Sequence, residues 1–465
     1  MPARAGRGHA AAPGRRAARA RAQPARRTGR PPRRPRRHLA ARRPRRRRPL
    51  TTVPVPPPNP RRRTTVSRLP LEGVRVVALE QYISGPYCTM WLADAGAEVI
   101  KVERPDGGDP RREFMPQLTG EDGAAVSGGF FSFNRNKRSV TLDLASVEGR
   151  DAYRALVATA DVVVENLRPG ATDKLGIGYA DLSAINPGLI YAAVSGYGRS
   201  EGPYAGRPAF DAAILGMAGI THMTGRSGDL PPELPMYGLA DMTTAILTGY
   251  QILMSLYDRT RTGTGRLIDV SMYDTMVALN ERPLMQHAFT GDVITRGPDR
   301  FQAPMGAYEC GDGFISLVVP NDLMWRRVAA IIGRPELATD PATATGAARA
   351  ANPDAYLPAM LAWMKARTRA DVVAEFEKGG VPAGIVQDSA DISDCPHLEA
   401  RGMFVRVQDP DVGEIKMPHA PFSMSDMGPV PAGTVPRLGA DNDAVLGALG
   451  LDTEQLARAT GAVPV

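Results

Sequence analysis

The sequence predicts an α/β protein whose larger part is built on a parallel sheet, with a smaller part of α+β texture after about residue 300. Three observations carry this reading. A short β-branched run, Val74 to Leu79, is followed by a helical stretch, Tyr87 to Ala95, and a second strand, Glu98 to Arg104. The alternation returns between residues 147 and 195. Beyond residue 300, short strands turned by Gly311, Asp312 and Gly313 replace it.

Gly85 and Pro86 are expected to break the first strand, and Gly96 to separate the first helix from the second strand. The resulting strand, helix, strand unit is the kind that builds a parallel sheet. Val147 to Ala160 reads as a helix, with Asp161 to Asn166 and Leu189 to Ser195 as buried strands, because uninterrupted apolar runs suit strands covered on both faces. In the later part, Ala307 to Val319 reads as two strands and their turn. Helices are expected at about 321–333 and 354–379. No internal repeat is present.

Charge divides the chain into two unlike segments. The formal net charge of +8 hides 23 arginines and no acidic residue before Glu72; the remainder holds 34 basic against 49 acidic residues, a net of −15. Residues 1 to 68 are Arg, Pro and Ala in low complexity and lack the apolar residues that offset ordering entropy, so this tail is expected to be disordered. It reads as a passive tail, a phosphate-binding arm or a targeting segment, although its prolines oppose an amphipathic helix. A chain starting at Val66 is expected to keep its activity. No apolar run is long enough to span a bilayer, so no membrane partner is expected. Cys88, Cys310 and Cys395 fit neither a disulfide framework nor a zinc motif, which suits a reducing, cytoplasmic location. His222, His287, His397 and His419 never approach i, i+4 spacing, and no metal centre is expected.

Common nucleotide and hydrolase signatures fail. Gly196, Gly198 and Gly202 miss dinucleotide spacing by one residue and precede Pro203 instead of a helix. There is no Walker sequence and no Gly-x-Ser-x-Gly elbow. An α/β enzyme of another kind is indicated.

A specific series then runs through the body. Leu71-Glu-Gly-Val-Arg-Val-Val is followed by Gly85-Pro-Tyr-Cys, Leu92-Ala-Asp-Ala-Gly-Ala-Glu-Val-Ile-Lys-Val-Glu-Arg-Pro and Asn134-Arg-Asn-Lys-Arg-Ser-Val-Thr-Leu-Asp-Leu. Asp161-Val-Val-Val-Glu-Asn-Leu-Arg-Pro-Gly, Gly206-Arg-Pro-Ala-Phe-Asp and Gly238-Leu-Ala-Asp come next, then Thr262-Gly-Thr-Gly-Arg, Val381-Pro-Ala-Gly and Leu438-Gly-Ala-Asp. From about residue 69 to 450 the chain resembles the family III CoA-transferases, the group of formyl-CoA transferase, crotonobetaine CoA-transferase and the α-methylacyl-CoA racemases. The resemblance implies a CoA-transferase that moves CoA from an acyl-CoA to a carboxylic acid, with coenzyme A as co-substrate.

In that family the aspartate of the Gly-Leu-Ala-Asp position is the nucleophile, which implies Asp241. It would form aspartyl anhydride and aspartyl-CoA thioester intermediates. Read alone, Asp241 is an N-cap aspartate before a helix so apolar that burial nearly all round is expected. The two roles are compatible, since a helix N-terminus would keep the carboxylate ionised while apolar neighbours exclude water.

The resemblance also implies CoA-contacting segments. Arg104 ends the second strand beside the adenine and phosphates. Ile83 and Ser84 lie at the first strand-to-helix turn, Leu142 and Asp143 follow Lys137 and Arg138, and Asn166, Leu167 and Arg168 leave the third parallel strand. Lys174 falls where formyl-CoA transferases carry an arginine. The racemase alternative requires a proton-exchanging histidine where this chain has Phe210, which favours the transferase. A nucleic-acid-binding protein acting through its arginine tail is the non-enzymatic alternative, and the acidic body opposes it; no nucleic-acid partner is expected.

The resemblance finally implies an interlocked homodimer with a Rossmann-like large domain. That domain would comprise residues 69–275 and a C-terminal return of 396–465, with 276–299 as linker and 300–395 as the small domain.

Overall fold

The computed structural model describes residues 68–461 apart from 121–122, 124, 227–229 and 298–302; the expectations for the arginine-rich tail fall outside this range. Arg68 forms a parallel bridge with Met427.

Six strands form one parallel sheet: β1 (Arg75–Leu79), β2 (Glu98–Glu103), β3 (Arg138–Thr141), β4 (Val162–Glu165), β5 (Ile190–Ser195) and β6 (Arg266–Ser271). Their order is β3-β2-β1-β4-β5-β6. Val76 pairs with Val99 on one side and Val162 on the other. The order reverses at β1, leaving a crevice beyond the C-terminal ends of β1 and β4 where sheets of this kind bind ligands.

Alternating side chains build a core on each face of the sheet. Val76, Ala78, Val99, Val162 and Val164 face one way, while Val77, Leu79, Ile100, Val102 and Val163 face the other. Helix α1 (Ser84–Asp94) covers the first face and α2 (Val147–Ala158) the second. The helix expected to start at Tyr87 thus starts three residues earlier, with Gly85 and Pro86 in its first turn. A proline there forfeits only an N–H that has no intrahelical acceptor.

Two further helices position the site, α3 (Asp211–Met217) and α4 (Leu239–Thr262). The expectation that α4 is buried nearly all round is not met. It buries a stripe of mostly small residues, among them Ala240, Thr244, Thr248 and Ile252, whereas Ile246, Tyr250, Leu253, Met254 and Tyr257 are exposed. The small stripe lets α4 lie close against α1, and the bulky residues fall on the opposite face.

The later part holds an antiparallel sheet of β7 (Met305–Cys310), β8 (Gly313–Val318) and β9 (Ala383–Ile385), in the order β9-β8-β7. Gly313 already pairs with Cys310, so the turn is Gly311 and Asp312 alone. Helix α5 (Asp322–Ile331) follows. The helical stretch expected at 354–379 is two helices, α6 (Leu357–Lys365) and α7 (Arg369–Lys378). The break is set by Thr368, whose hydroxyl accepts from the Asp371 N–H at 3.2 Å as an N-cap, within the polar stretch Lys365-Ala-Arg-Thr-Arg-Ala-Asp.

Candidate active site

Asp241 is the third residue of α4, not its cap. The N-cap is Gly238, held at φ +77°, a conformation that suits a residue without Cβ and that offers the helix no capping side chain. The donors of this helix end are satisfied from another helix. Asp211, the first residue of α3, accepts from Gly238 N–H at 3.1 Å, Ala240 N–H at 2.7 Å and Asp241 N–H at 3.4 Å. The Asp241 side chain is therefore released from capping.

Ser84, the first residue of α1, comes to the same place. Its hydroxyl oxygen accepts from Asn166 Nδ2 at 3.2 Å, leaving the O–H to stabilise the Asp241 carboxylate. Burial raises the Asp241 pKa to about 7, and the charge of Asp211 adds to the effect; Ser84 and the positive charge of Arg111 act the other way. The expectation of a carboxylate kept ionised by the helix end is thus altered, chiefly because burial disfavours the charged form, while the helix-end donors hold Asp211. At neutral pH Asp241 is poised between its two forms.

Asn166 does more than touch Ser84. It clamps the backbone of Gln81, accepting from its N–H at 2.9 Å and donating to its carbonyl at 2.7 Å. Gly85 is needed for this approach: a Cβ there would stand 2.8 Å from Glu80 Cβ and 3.3 Å from Asn166 Cγ. Between these residues Tyr82 adopts φ +65°, uncommon for a bulky side chain, and sets its ring edge-on to Phe210 at 5.8 Å. Ile83, the N-cap of α1, is buried against Gly238.

A cavity of about 300 Å³ opens at the C-terminal ends of β1, β2, β3 and β4. Arg104, Leu142, Asp143 and Leu167 all line it. Arg104 is exposed, donates Nε to the Gly108 carbonyl at 3.0 Å and has no carboxylate partner among the described residues, so its remaining donors are available to an anion. Leu142 belongs to the core beneath, and Asp143 folds its own turn by accepting from Ala145 N–H at 3.0 Å. Arg168 and Lys174 stand apart. Both are exposed and neither lines the cavity.

Below the turn lies a set of buried charges that sequence reading does not single out. Lys101 meets Asp109 at 2.9 Å and donates to the Glu80 carbonyl at 3.0 Å, and Lys137 meets Glu80 at 2.8 Å. Glu103 takes Arg112 through both carboxylate oxygens, at 2.7 and 2.8 Å. Burial lowers the Lys137 pKa to about 8. Burial opposes the charge of Glu103, but Arg112 and Lys101 outweigh it and hold its pKa at about 2. Asp109 carries the arrangement to the site: its Oδ1 accepts from Tyr82 N–H at 3.2 Å and from Arg111 N–H at 3.0 Å. One signal was available, a lysine in the otherwise apolar strand Val99-Ile-Lys-Val, where both faces are covered.

With this geometry in place, the sequence profile of CoA-transferase family III matches residues 71–442. The chain belongs to that family. It is 38% identical over 389 residues to the succinyl-CoA:mesaconate CoA-transferase of Haloarcula hispanica, covering 82% of this chain and 97% of the relative. Identity to the succinyl-CoA--D-citramalate CoA-transferase of Chloroflexus aurantiacus is 36% over 395 residues, 83% of this chain and 96% of the relative. A CAIB/BAIF family protein from Brucella suis superposes with a TM-score of 0.74 at 35% identity, covering 82% of this chain and all of the other. This CoA-transferase thus shares an α/β fold with a parallel central sheet with its solved relatives. No helix among its described residues is long and apolar enough to cross a membrane.

Proposed function

We propose that this family III enzyme exchanges CoA between an acyl-CoA thioester and a free carboxylic acid with Asp241 as covalent relay. The observation that carries the proposal is a partly buried carboxylate freed from helix capping, beside the Ser84 hydroxyl, whose partner Asn166 holds the backbone of Gln81 in the wall of the cavity at the strand ends. A thioester and a carboxylate trade partners at nearly constant free energy, so a relay suffices and no ATP is consumed. Asp241 attacks the thioester carbonyl, forming an aspartyl anhydride and expelling CoA thiolate. The thiolate attacks the aspartyl carbonyl, releasing the donor acid and leaving aspartyl-CoA. The acceptor carboxylate attacks that thioester, and the returning thiolate converts the second anhydride to product and free Asp241. Burial of the site slows hydrolysis of the anhydrides.

Arg104 serves in this reading as a phosphate contact for coenzyme A, with Leu142, Asp143 and Leu167 shaping the pocket floor. Arg104→Ala is expected to raise KM for the acyl-CoA about tenfold or more, the scale of one charge-assisted hydrogen bond, with kcat little changed. Steady-state kinetics check this. An unchanged KM would remove Arg104 from the site.

The acceptor panel begins with the acids named for the relatives, mesaconate and D-citramalate, with succinyl-CoA as donor. Because attack requires the carboxylate form, kcat/KM is expected to rise with pH to about 7 and then level. Hydroxylamine added during turnover should mark Asp241, detected by peptide mass spectrometry. Fast exchange of the substrate α-proton for deuterium would instead restore the racemase. Phe210, at that family's proton-transfer position, offers no exchangeable proton.

The Rossmann-like description of the large domain is supported by the strand order β3-β2-β1-β4-β5-β6. A large domain of 69–275 with 396–465, a linker of 276–299 and a small domain of 300–395 remain part of the proposal. So does the interlocked homodimer, for which the exposed apolar face of α4 and an adjoining apolar cavity of about 300 Å³ beside Trp91 and Phe422 are suitable surfaces. A cytoplasmic, metal-free enzyme completes the reading.

A further inference from the structure

We propose that Asp211 is a positioning residue for this reaction, holding the first turn of α4 to α3 so that the Asp241 carboxylate faces substrate instead of its own helix end. The inference rests on Asp241 being the nucleophile and adds a second carboxylate with a different task.

A helix of 24 residues begins with N–H groups that have no intrahelical acceptor. The usual remedy is a side chain at the N-cap, and an acidic residue at the third helical position commonly folds back to assist it. Here the N-cap is glycine and the third residue is Asp241. Without another acceptor, Asp241 would be drawn to its own helix end. Asp211 removes that competition by accepting from the N–H groups of Gly238, Ala240 and Asp241.

Asp211 is only 7% exposed and makes no ion pair among the described residues, so backbone donors and the positive end of α4 hold its charge. Burial is the larger cause of the raised Asp241 pKa, and the charge of Asp211 beside it acts in the same direction. The other groups acting on Asp241 are the Ser84 hydroxyl and the Arg111 guanidinium, both opposing the rise. One carboxylate is anchored by backbone donors, and its neighbour is left to titrate and react.

The test uses the full chain carrying Asp211→Asn, Asp211→Glu or Asp211→Ala. Readouts are kcat and KM separately, the pH dependence of kcat/KM, and hydroxylamine labelling of Asp241. Asp211→Asn keeps one acceptor oxygen but loses the charge, so its acid limb is expected about one pH unit lower, with acyl-CoA KM unchanged. Asp211→Glu, which keeps charge and acceptors, should restore the limb to its original pH. Asp211→Ala should lower kcat about a hundredfold, as expected for a misplaced nucleophile. If the alanine variant does not fold, the asparagine and glutamate variants still separate charge from packing. Equal limbs in those two variants, with kcat of the unsubstituted enzyme, would overturn the role of Asp211 while Asp241 labelling persisted. Failure to label Asp241 in the unsubstituted enzyme would instead overturn the nucleophile assignment beneath it.

Discussion

Asp241→Ala is expected to reduce CoA transfer by at least about 10⁴-fold, the scale on which loss of a nucleophile is felt in other covalent enzymes. Binding of CoA should persist, because the cavity at the strand ends is lined by residues of other elements, Arg104 and Leu167 among them. Folding should persist too, since the start of α4 is capped by Asp211. Asp241→Asn sharpens the result. The carboxyl has a pKa of about 7 in the folded protein against an ordinary 3.8, so between those values the folded state holds a proton that the unfolded chain has released. Stability therefore falls as pH rises through that window and levels above it. The neutral asparagine escapes the penalty. This variant should be inactive yet melt at a higher temperature than the unsubstituted protein at pH 8, with the difference vanishing below pH 3.8. Calorimetric scans at several pH values, paired with turnover assays, measure both halves; retained turnover would end the assignment.

What the sequence makes legible follows from where its signals are local. Runs such as Val162-Val-Val bounded by turns identify parallel strands because both faces of that sheet are covered, and each core is built from alternate residues of the same run. The motif series likewise carries the family directly. Capping across helices is not local. Gly238-Leu-Ala-Asp gives no hint that the acceptor for its N–H groups lies at Asp211, in a separate motif, so Asp241 resembled a cap when read alone. The same limit applies to α4, whose composition is apolar but whose bulky residues lie on one face and small ones on the other. Arg168 and Lys174 follow the motif order and are exposed, outside the lining of the cavity at the strand ends.

Lys101→Met is expected to destabilise the fold by about 3–5 kcal/mol, the range for breaking a buried ion pair by removing one partner. Lys101 is fully buried in β2. Burial disfavours its charge, but Asp109, Glu80 and Glu103 together more than compensate and hold its pKa above the ordinary value. Methionine fills much of the same volume, so lost packing is minor, and the cost lies in the carboxylates left behind. Asp109 loses its 2.9 Å partner, while Glu80 retains Lys137 at 2.8 Å. Urea unfolding should show a lower midpoint at unchanged m-value. Adding Asp109→Asn to Lys101→Met should recover part of the loss at neutral pH. Function should suffer beyond stability, because Asp109 also holds the Tyr82 and Arg111 N–H groups and through them the turn that ends at Ser84. Folded Lys101→Met enzyme, assayed at low temperature, should therefore show reduced kcat with Asp241 intact. A midpoint equal to that of the unsubstituted protein would mean that the Lys101–Asp109 contact does not hold the turn in place.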